Sequence, residues 1–378
     1  MTSYTSINAP HIPVKAHMSR RLSKEETDSF AAELDALRNE IMASLGTREA
    51  RYIRGVRKFV RNTELTGRGL LMAGILPPAW LAGTALLAAS KIVDNMELGH
   101  NVMHGQYDFM NDPEFRGATF EWNNACTGEN WRHSHNYMHH TYTNIQDVDR
   151  DLGYGVLRLS EFKEWSPGHL LQPLYAALLA VFFQYGVALH DLEVDRLVRG
   201  ERPFSEIKPM LPKVLSKLGK VTLRDYVVFP VLAGPLFLPV LLGNMTANLA
   251  RNLWAFSIIF CGHFTEEAEN YPESSKECSN RGEWYLRQIR GSSNLEGSRI
   301  FHFMSGNLSH HIEHHLFPEV PACRYEEMGP RVRAICEKYG QFYSTGSFGH
   351  QYWTVAKRIL RLSLPTGKTK PGLAQPSV

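Results

Sequence analysis

The chain has 378 residues and carries 41 Lys and Arg residues against 38 Asp and Glu residues, so its net charge of +3 implies no polyanionic partner such as nucleic acid. Hydrophobic residues make up 43% of the chain and the mean hydropathy is −0.27, which excludes a protein lying mostly within a bilayer but allows a few membrane helices. The five cysteines are odd in number and form no CxxC pair, which argues against a disulfide framework or a thiolate metal site and favours reduced thiols facing the cytosol.

The two ends of the chain are polar. Residues 1–65 are predicted to be an N-terminal cytosolic helical segment without a cleaved signal peptide, because no apolar leader is present. Within it, residues 23–45 predict a surface helix, since Ser23 can cap a run of acidic and then periodically apolar residues. Residues 366–378 are predicted to be a disordered tail, which leaves a membrane domain over residues 66–365.

Three apolar stretches could enter a bilayer, and a spanning helix needs about 20 mostly apolar residues. The first, 69–93, holds one helix or two short ones turning at Pro77-Pro78. The second is 170–189. The third, 226–262, is long enough for two helices, and we expect them to join near Gly243-Asn244. Arg251 would then lie six residues into its helix, close enough to reach the membrane surface.

The Lys and Arg residues that flank the apolar stretches indicate which stretches cross the membrane. Residues 48–68 hold seven Lys and Arg against two acids and residues 191–224 hold eight against five, so the positive-inside rule places both in the cytoplasm. Segments 69–95 and 226–262 are therefore predicted to be hairpins. The stretch 170–189 is predicted to lie in the interface, or to dip in and return. The prediction is an all-α polytopic membrane protein with about four transmembrane helices, and a cytosolic helical cap over 105–169, 191–224 and 264–365.

Histidines provide the main functional signal. Ten of the seventeen lie in three stretches, HNVMH (100–104), HSHNYMHH (133–140) and HHIEHH (310–315), far more than random placement would give. His100 and His104 are spaced i, i+4, so on a helix they share one face and can hold one metal ion. If the three stretches form one site, they must lie on one side of the membrane, which is the condition that the two hairpins satisfy.

The number and type of these side chains indicate the kind of metal site. A structural zinc needs only four ligands, typically including cysteines, whereas at least eight imidazoles are available here without clustered thiols. That number is too large for one ion and suits two. Imidazole binds iron, copper, zinc and nickel alike, so the ligand type alone does not choose among them. Oxygen chemistry needs a redox metal with open positions, and that requirement favours iron.

The order and spacing of the three boxes, HX(3–4)H, HX(2–3)HH and HX(2–3)HH, resemble those of the membrane fatty acid desaturases. The segments GHNVMHGQYDFMNDP, WRHSHNYMHHTYTN, FCGHF and MSGNLSHHIEHHLFP are most similar to bacterial acyl-CoA desaturases of the stearoyl-CoA type, over roughly residues 30–365. The resemblance implies four transmembrane helices under a cytosolic cap, two iron ions, molecular oxygen and two electrons. It also implies a cis double bond placed in a saturated acyl chain.

The resemblance also implies metal-binding roles for particular residues. The box histidines that match the family are His100, His104, His135, His139, His140, His311, His314 and His315. His263 matches a further ligand histidine of acyl-CoA desaturases. Those enzymes also use an asparagine that holds one iron through water, and at its place this chain has Ile259. Asn307, one turn before His311, is therefore the candidate substitute. His133 and His310 are spare imidazoles, interpreted as supporting groups, although the spacing of the middle box leaves the choice between His133 and His135 open.

Other residues near the boxes are candidates for supporting roles. A metal-bound histidine usually donates its second N–H to a carboxylate or a carbonyl, and Glu97 and Asp149 are the candidate acceptors. Glu313 is predicted to be solvated, because on a helix it faces away from His311 and His315. Trp122 and Trp131 are predicted to be packing residues, with lining of an acyl channel as the alternative. The candidate anchors for a substrate headgroup are Arg132, Arg287 and Arg290, for which a solvated basic face is the alternative.

The predicted activity is desaturation of an acyl-CoA or acyl-lipid, with Δ9 of stearoyl-CoA favoured by the resemblance. The chain lacks the HPGG motif of a fused cytochrome b5, so a separate donor must supply electrons, either an NAD(P)H-dependent flavin or iron–sulfur oxidoreductase or a ferredoxin. The predicted location is the cytoplasmic membrane, crossed several times, with the active site facing the cytosol.

Other functions remain open at this stage. HIEHHLFP is also similar to the motif of linoleoyl-CoA and front-end desaturases. Histidine-rich di-iron hydroxylases and ketolases share the ligands but form an alcohol or a ketone. A metal transporter would need ionisable residues at the bilayer midplane, and residues 226–243 contain none. A zinc hydrolase needs a general base such as the Glu of HExxH, a motif that this chain lacks.

Overall fold

The computed structural model describes residues 19–366 except Ser279, so residues 1–18 and all of the predicted tail but Thr366 lie outside the described residues. The first α-helices are α1 Lys24–Ala43, α2 Thr47–Leu71, α3 Pro77–Val93, α4 Asn101–Met103, α5 Gly128–Trp131, α6 His140–Tyr142, α7 Gln172–Val181, α8 Phe183–Asp191, α9 Val194–Val198 and α10 Phe204–Ile207. The others are α11 Leu211–Leu223, α12 Phe229–Leu232, α13 Phe237–His263, α14 Arg281–Arg290, α15 Arg299–Met304, α16 His311–Leu316, α17 Tyr325–Lys338 and α18 Phe348–Ser363.

Three segments adopt the wider π-helix, Asp94–His100, Arg132–His139 and Arg224–Val228. Short 3-10 helices cover Asp108–Met110, Pro113–Phe115, Leu152–Gly155, Pro167–Leu171, Gly234–Leu236, Glu273–Ser275 and Ala322–Arg324. The strands β1 Asn294–Glu296 and β2 Thr345–Ser347 pair in parallel, with Asn294 opposite Thr345. The mainly helical structure confirms the all-α part of the predicted fold.

Helix α1 confirms the predicted N-terminal helix. The Ser23 hydroxyl accepts a hydrogen bond from the Glu26 backbone N–H at 3.2 Å, and the Glu26 carboxylate accepts one from the Ser23 N–H at 2.8 Å. This reciprocal pair satisfies two N–H groups that the start of a helix leaves unpaired. The helix buries one apolar face, including Phe30 and Leu34, in a cluster with residues of α14, α16 and α17.

Helices α2 and α3 form a tight hairpin that turns over residues 72–76. The backbones approach so closely that a Cβ on Gly67 would lie 2.9 Å from the Gly83 carbonyl oxygen, and a Cβ on Gly83 would meet the Gly67 carbonyl at the same distance. Pro77 begins α3 at a position where its missing N–H costs no hydrogen bond. Of the two sequence alternatives for 69–93, the structure has the single helix, α3, preceded by the last residues of α2. The predicted hairpin within 69–95 is wrong in its first arm, because that arm is α2, which begins at Thr47.

The predicted join near Gly243-Asn244 is wrong, because α13 runs unbroken from Phe237 to His263. The chain turns earlier, at Ala233–Leu236, where Gly234 has a φ of +55° that favours glycine, and Pro235 follows. Gly243 serves close packing instead, since a Cβ there would lie 2.6 Å from a methyl carbon of Leu71. A glycine in an apolar run thus marked a helix contact rather than a turn.

The predicted position of Arg251 is also wrong. The residue lies in the middle of α13 rather than near a helix start, and it is only 2% exposed. Its Nε donates to the Oδ1 of Asn252 at 3.1 Å. Because the turn that precedes α13 lies earlier than predicted, the guanidinium sits within the helix assembly and does not extend to a surface.

Near Arg251, the fully buried carboxylate of Asp225 joins four helical elements. Arg68 of α2 lies 3.1 Å from it, Lys91 of α3 2.5 Å, and Arg224, its neighbour in the π-helix, 3.1 Å. Asn248 of α13 donates to the same carboxylate at 3.2 Å. This cluster, Asp225 with its four donors, fixes the α2–α3 hairpin against α13.

A helix that crosses a membrane by itself must be both long and apolar. Among the described helices, none is by itself both long and apolar enough to span a bilayer. One pair passes that test jointly, Pro167–Val181 with Phe183–Asp191, and its two arms are bent by 100°.

Candidate metal centre

Residues from all three boxes meet at one place in the fold. The His104 ring has four imidazole neighbours, at centroid distances of 4.6 Å to His100, 5.3 Å to His135, 4.7 Å to His140 and 4.8 Å to His314. These five rings, which we call the first histidine set, come from segments more than 200 residues apart in the sequence. The first, middle and last boxes therefore contribute to a single cluster.

A second group of four rings lies beside the first and is centred on His263, the last residue of α13. The Nε2 of His263 is 3.0 Å from that of His139, 2.8 Å from that of His311 and 3.1 Å from that of His315. We call these four the second histidine set. His140 and His315 stack at 4.4 Å and connect the two sets. The nine predicted ligand histidines thus lie together in two adjoining groups.

Local backbone geometry helps to aim these rings. His100 ends the π-helix that continues α3, and His135 and His139 lie within the π-helix of the middle box. A π-helix adds a residue to a turn and so rotates the side chains that follow it, which is why π segments are frequent at functional sites. With this rotation, His139 reaches the second set while His135 and His140 remain in the first.

The outer nitrogens of most of the nine rings are hydrogen-bonded to the surrounding protein. The Nδ1 of His135 lies 2.8 Å from a carboxylate oxygen of Asp151, and that of His139 lies 2.9 Å from Asp149. The remaining contacts of this kind join His100 to Asn101 at 3.0 Å, His315 to Gln288 at 3.0 Å, His311 to the Leu308 carbonyl at 3.1 Å, and His263 to the Gly291 carbonyl at 3.3 Å. Contacts of this type fix the ring orientation and tautomer and leave the opposite nitrogen free for a metal.

Several of the inner nitrogens, which face the centre of the cluster, are free to bind a metal. In the first set the Nε2 atoms of His104, His135, His140 and His314 are buried and have no hydrogen-bond partner among the described residues. Buried polar atoms are normally paired, so four orphaned nitrogens at one place need an explanation. Ligand atoms of His100, His104, His135 and His314 all lie within 4.8 Å of one another, as do those of His139, His263 and His315. The donor set therefore fits metal ions bound by imidazole.

Burial also sets the protonation state that metal binding needs. It lowers the pKa of His104, His140, His263 and His314 well below the ordinary range, so these rings are neutral. His139 differs, because burial works to lower its pKa but the carboxylate of Asp149 outweighs burial and raises it. A neutral imidazole is the form that binds a metal, so all but one of these rings are ready to act as ligands.

Gly262 offers a test of this geometry, because a Cβ at this position would lie 2.6 Å from the Nε2 of His311. We expect Gly262→Ala to push the His311 ring out of the second set and to lower metal affinity by about 10-fold or more. The measurement is the metal content of purified protein together with its thermal unfolding. Gly55→Ala on α2 is the matched control, since nothing lies within 4 Å of its Cβ position. Equal metal retention by both variants would contradict the placement of His311.

The structure places the predicted supporting residues in different positions. Asp149 lies against His139, as its predicted role requires. Glu97 is fully buried but accepts hydrogen bonds from the Tyr52 hydroxyl and from the side-chain amide of Asn307, each at 2.8 Å. Burial raises the pKa of Glu97 to about 8. Glu97 and Asn307 therefore bind each other, and their roles at the metal stay predictions.

The expectation that Glu313 is solvated is wrong, because the residue is fully buried. Its carboxylate accepts hydrogen bonds from the Tyr343 hydroxyl at 2.7 Å and from the side chain of Asn294, on β1, at 2.8 Å. Glu313 does face away from the ligand rings, but that face of α16 packs against the protein. It thereby fastens the last box to the segment that leads into β2.

The two spare histidines lie apart from the nine rings. His133 is exposed and stacks on Tyr137 at 5.9 Å. His310 stacks on His302 at 4.7 Å, and burial lowers its pKa to about 4. Of the two histidines left open in the middle box, the structure brings His135 into the cluster.

The three candidate headgroup anchors bind protein groups. Arg132 donates to the carbonyls of Gly117 and Phe120 at 3.2 and 3.1 Å. Arg287 is 7% exposed and donates to the carbonyls of Ser275 and Thr141 at 3.0 and 2.8 Å, while Arg290 donates to Gln341 at 2.7 Å. These contacts favour a structural role, and headgroup binding by these residues stays a prediction.

A cavity, which we call the inner cavity, adjoins the histidine sets. Its apolar wall is formed by Met96, Trp122, Trp131, Tyr154, Phe183, Val187 and Ile259, and it reaches His100, His135, His139, His263, His311 and His314. Trp131 stacks on His135 at 4.5 Å. Both tryptophans therefore pack in the core and line the inner cavity, so the structure combines the two sequence alternatives.

Sequence reasoning singled out neither Asp151 nor Gln288. Asp151 bridges His135 and His190, at 2.8 and 3.1 Å. Its place two residues after Asp149 was the available signal, because alternate positions in a tight loop can face the same box. Gln288 contacts His315 across a long sequence separation, and nothing near it in the sequence indicates that partner.

Comparisons with known proteins agree with this site. The chain matches the family model described as "Fatty acid desaturase" over residues 76–347. It therefore belongs to the fatty acid desaturase family, a family of oxidoreductases.

Individual relatives refine this assignment. The chain is similar to the NADPH-dependent stearoyl-CoA 9-desaturase of Mycobacterium tuberculosis, with 41% identity over 348 residues that cover 91% of this chain and 82% of the relative. It is also similar to the sn-1 linoleoyl-lipid 6-desaturase of a Synechocystis species, with 27% identity over 72% of this chain and 77% of the relative. The acyl-lipid (7-3)-desaturase of Rebecca salina is 34% identical over 56% of this chain and 48% of its own length. The resemblance to bacterial stearoyl-CoA type desaturases is thus confirmed.

Proposed function

We propose that the chain is an oxygen-dependent acyl-CoA desaturase that places a cis double bond at Δ9 of stearoyl-CoA. The observation that carries the proposal is the pair of histidine sets beside the inner cavity, with four orphaned inner nitrogens. The relative that is 41% identical is named for this substrate and position, which supports the choice among desaturases.

Two iron ions are the cofactors that we propose. His100, His104, His135, His140 and His314 would hold one ion, and His139, His263, His311 and His315 the other. When bound, iron supplies the oxygen chemistry that removes hydrogen from an unactivated methylene, which no side-chain acid or base can do. Nine imidazoles are more than one ion takes, so the donor set supports two ions.

The protein's own residues would orient the ligand rings, position the acyl chain and exclude bulk water from it. Asp149 and Asp151 hold the rings of His139 and His135 in the orientation that aims their Nε2 atoms inward. The apolar wall of the inner cavity would bind a saturated acyl segment and keep bulk water from it. The position of the double bond then depends on which methylene the wall holds beside the imidazoles. The protein decides which part of the acyl chain lies next to the metal, which supplies the chemistry.

Electrons are proposed to come from a separate protein. The mycobacterial relative, which is similar over 91% of this chain, is named as NADPH-dependent, and this supports the proposal. A flavin or iron–sulfur oxidoreductase that draws on NADPH, or a ferredoxin, would supply the two electrons.

The proposed location is the cytoplasmic membrane, crossed at 69–95 and 226–262, with the histidine sets on the cytosolic side. Large apolar side chains are exposed along α3, α7, α12 and α13, including Leu81, Leu174, Val231 and Leu238. Soluble proteins rarely leave apolar surface of such extent uncovered, and lipid would cover it here.

The test is expression in a desaturase-deficient host, with mass-spectrometric mapping of double bonds in the host lipids. We expect a new double bond at Δ9 of saturated C18 chains, absent from the host with an empty vector. A double bond nearer the carboxyl group would instead indicate a front-end desaturase. An alcohol would indicate a hydroxylase, and unchanged lipids in the presence of folded, iron-loaded protein would contradict the proposal.

A further inference from the structure

Asp191, the last residue of α8, lies between two cavities. It lines the inner cavity beside the histidine sets. It also lines a second, surface cavity, which we call the outer pocket, together with Glu129, His133, Glu193, Arg202 and Lys213. Of the described residues that line the two cavities, Asp191 alone lines both. Its side chain therefore lies between the enclosed space beside the histidine sets and this charged surface pocket.

The carboxyl group of Asp191 accepts one hydrogen bond from a hydroxyl and faces the weakly donating thiol of Cys126. The Ser134 hydroxyl, on the π-helix of the middle box, donates to its Oδ1 at 2.6 Å. Asp191 is only 7% exposed. Its Oδ2 is buried and has no hydrogen-bond partner among the described residues. Two other polar residues of the inner cavity, Asn95 and Asn124, bond each other at 2.5 Å. A buried carboxylate oxygen that has no hydrogen-bond partner among the described residues is costly, so it needs a reason.

The proposed reaction supplies that reason, because it consumes protons. A saturated segment R–CH2–CH2–R′ reacts with O2, two electrons from the donor protein and two protons, and gives R–CH=CH–R′ and two molecules of water. The substrate loses two hydrogens, and the four electrons that reduce oxygen come in equal parts from substrate and donor. Most of the ligand rings are poor proton sources, because their outer nitrogens are held by Asp149, Asp151 and other fixed groups.

We propose that Asp191 carries protons from the outer pocket to the oxygen that is reduced in the inner cavity. This inference rests on the proposed function. Oδ2 takes a proton on the side of the outer pocket and releases it toward the histidine sets, while Oδ1 stays bonded to Ser134. The carboxyl group thus joins water-exposed and enclosed space without opening a channel for bulk water.

The surroundings suit a group that gains and loses a proton near neutral pH. Asp191 lies outside the two segments predicted to cross the bilayer, and burial raises its pKa to about 6, against the opposing effect of His190. The other groups that face it are Ser134, Cys126 and Asp151 on the inner side, and Glu129, His133, Glu193, Arg202 and Lys213 in the outer pocket. A carboxyl group with a pKa near the working pH exchanges protons in both directions efficiently.

A purely structural role for Asp191 would be to anchor α8 to the middle box through Ser134. Asp191→Asn separates the two roles, because the amide oxygen can still accept from Ser134 while the side chain can no longer carry a proton. Glu193→Gln is the matched control, since it removes a charge from the same outer pocket at a residue that does not line the inner cavity.

The experiment uses the full-length, iron-loaded protein with its electron donor, and it measures double bonds formed, oxygen consumed and hydrogen peroxide released. We expect Asp191→Asn to bind iron like the wild type, to form double bonds at least about 100-fold more slowly, and to divert oxygen to peroxide. Formate or acetate should restore part of the rate to Asp191→Ala. In metal-free protein, the infrared difference between the wild type and Asp191→Asn should contain the band of one buried protonated carboxyl group, over the bands of other buried carboxyl groups such as Glu97, which both proteins share.

Three outcomes would overturn the proposal. Asp191→Asn could keep the wild-type rate and coupling, or small carboxylic acids could fail to rescue an iron-loaded Asp191→Ala, or the infrared difference between the wild type and Asp191→Asn could contain no carboxyl band. Glu193→Gln should match the wild type in all these measurements, and equal loss in both variants would also refute a role specific to Asp191. A wild-type protein that forms no double bond in this assay would overturn the proposed function as well, which distinguishes the two failures.

Discussion

Alanine at His314 is expected to abolish double-bond formation and to lower bound iron by at least about 100-fold. His314 is fully buried, its Nε2 has no partner among the described residues, and its ring lies 4.8 Å from those of His100, His104 and His140. Removing this imidazole leaves the first histidine set open on one side, and no neighbouring side chain can take its place. Metal analysis of purified protein and mass spectrometry of lipids from expressing cells measure the two effects.

Three further variants make this result specific. His139→Ala should have the same outcome through the second histidine set. His350→Ala should leave iron and product unchanged, because that side chain is exposed on α18. His133→Ala tests the alternative left open by the middle box, and iron loss there equal to that of His135→Ala would contradict the ligand sets. Full product from His314→Ala would count against the desaturase site itself.

Alanine at Asp225 is expected to destabilise the fold by about 3–5 kcal/mol. The carboxylate is fully buried and balances Arg68 and Lys91, which are 8% and 4% exposed. Its loss leaves these cations in a low-dielectric interior without an anion, and uncompensated buried charge is among the most destabilising changes known in proteins. Chemical denaturation of purified protein in detergent, followed by circular dichroism, measures the change.

A surface ion pair provides the comparison for Asp225. Glu40 contacts Arg331 at 2.6 Å, but the two side chains are 63% and 45% exposed. Exposed pairs contribute about 0–1 kcal/mol, so Glu40→Ala should change stability very little. Similar unfolding midpoints for Asp225→Ala and Glu40→Ala would show that the buried cluster is not what holds α2, α3 and α13 together.

The sequence was informative about the site because the chemistry is concentrated in short motifs. Spacing put His100 and His104 on one shared face, and both lie in the first histidine set. The resemblance added His263, which stands outside the three boxes. The supporting contacts were less accessible. Asp149 lies close to its histidine in sequence, whereas the Glu97–Asn307 pair spans 210 residues and depends on tertiary packing.

The failures at Gly243, Arg251 and Glu313 have related causes. Glycine permits either a turn or a close helix contact, and composition does not separate the two. Once the turn was placed nine residues too late, Arg251 was assigned to a helix start and therefore to a surface. Glu313 was expected to be solvated because its face of α16 carries no ligand, yet that face meets Asn294 and Tyr343. Each error concerns which residues pack against a helix, and a single sequence does not reveal those tertiary contacts.

The contact between Glu313 and Tyr343 bears on how the protein is made. Glu313 of the last box is held by the hydroxyl of Tyr343 and by Asn294 of β1. The partner strand of β1 is Thr345–Ser347. The ribosome must therefore synthesise the chain through Thr345–Ser347 before His311, His314 and His315 are held in place. We expect iron to enter only after that point, when the earlier helices have already assembled.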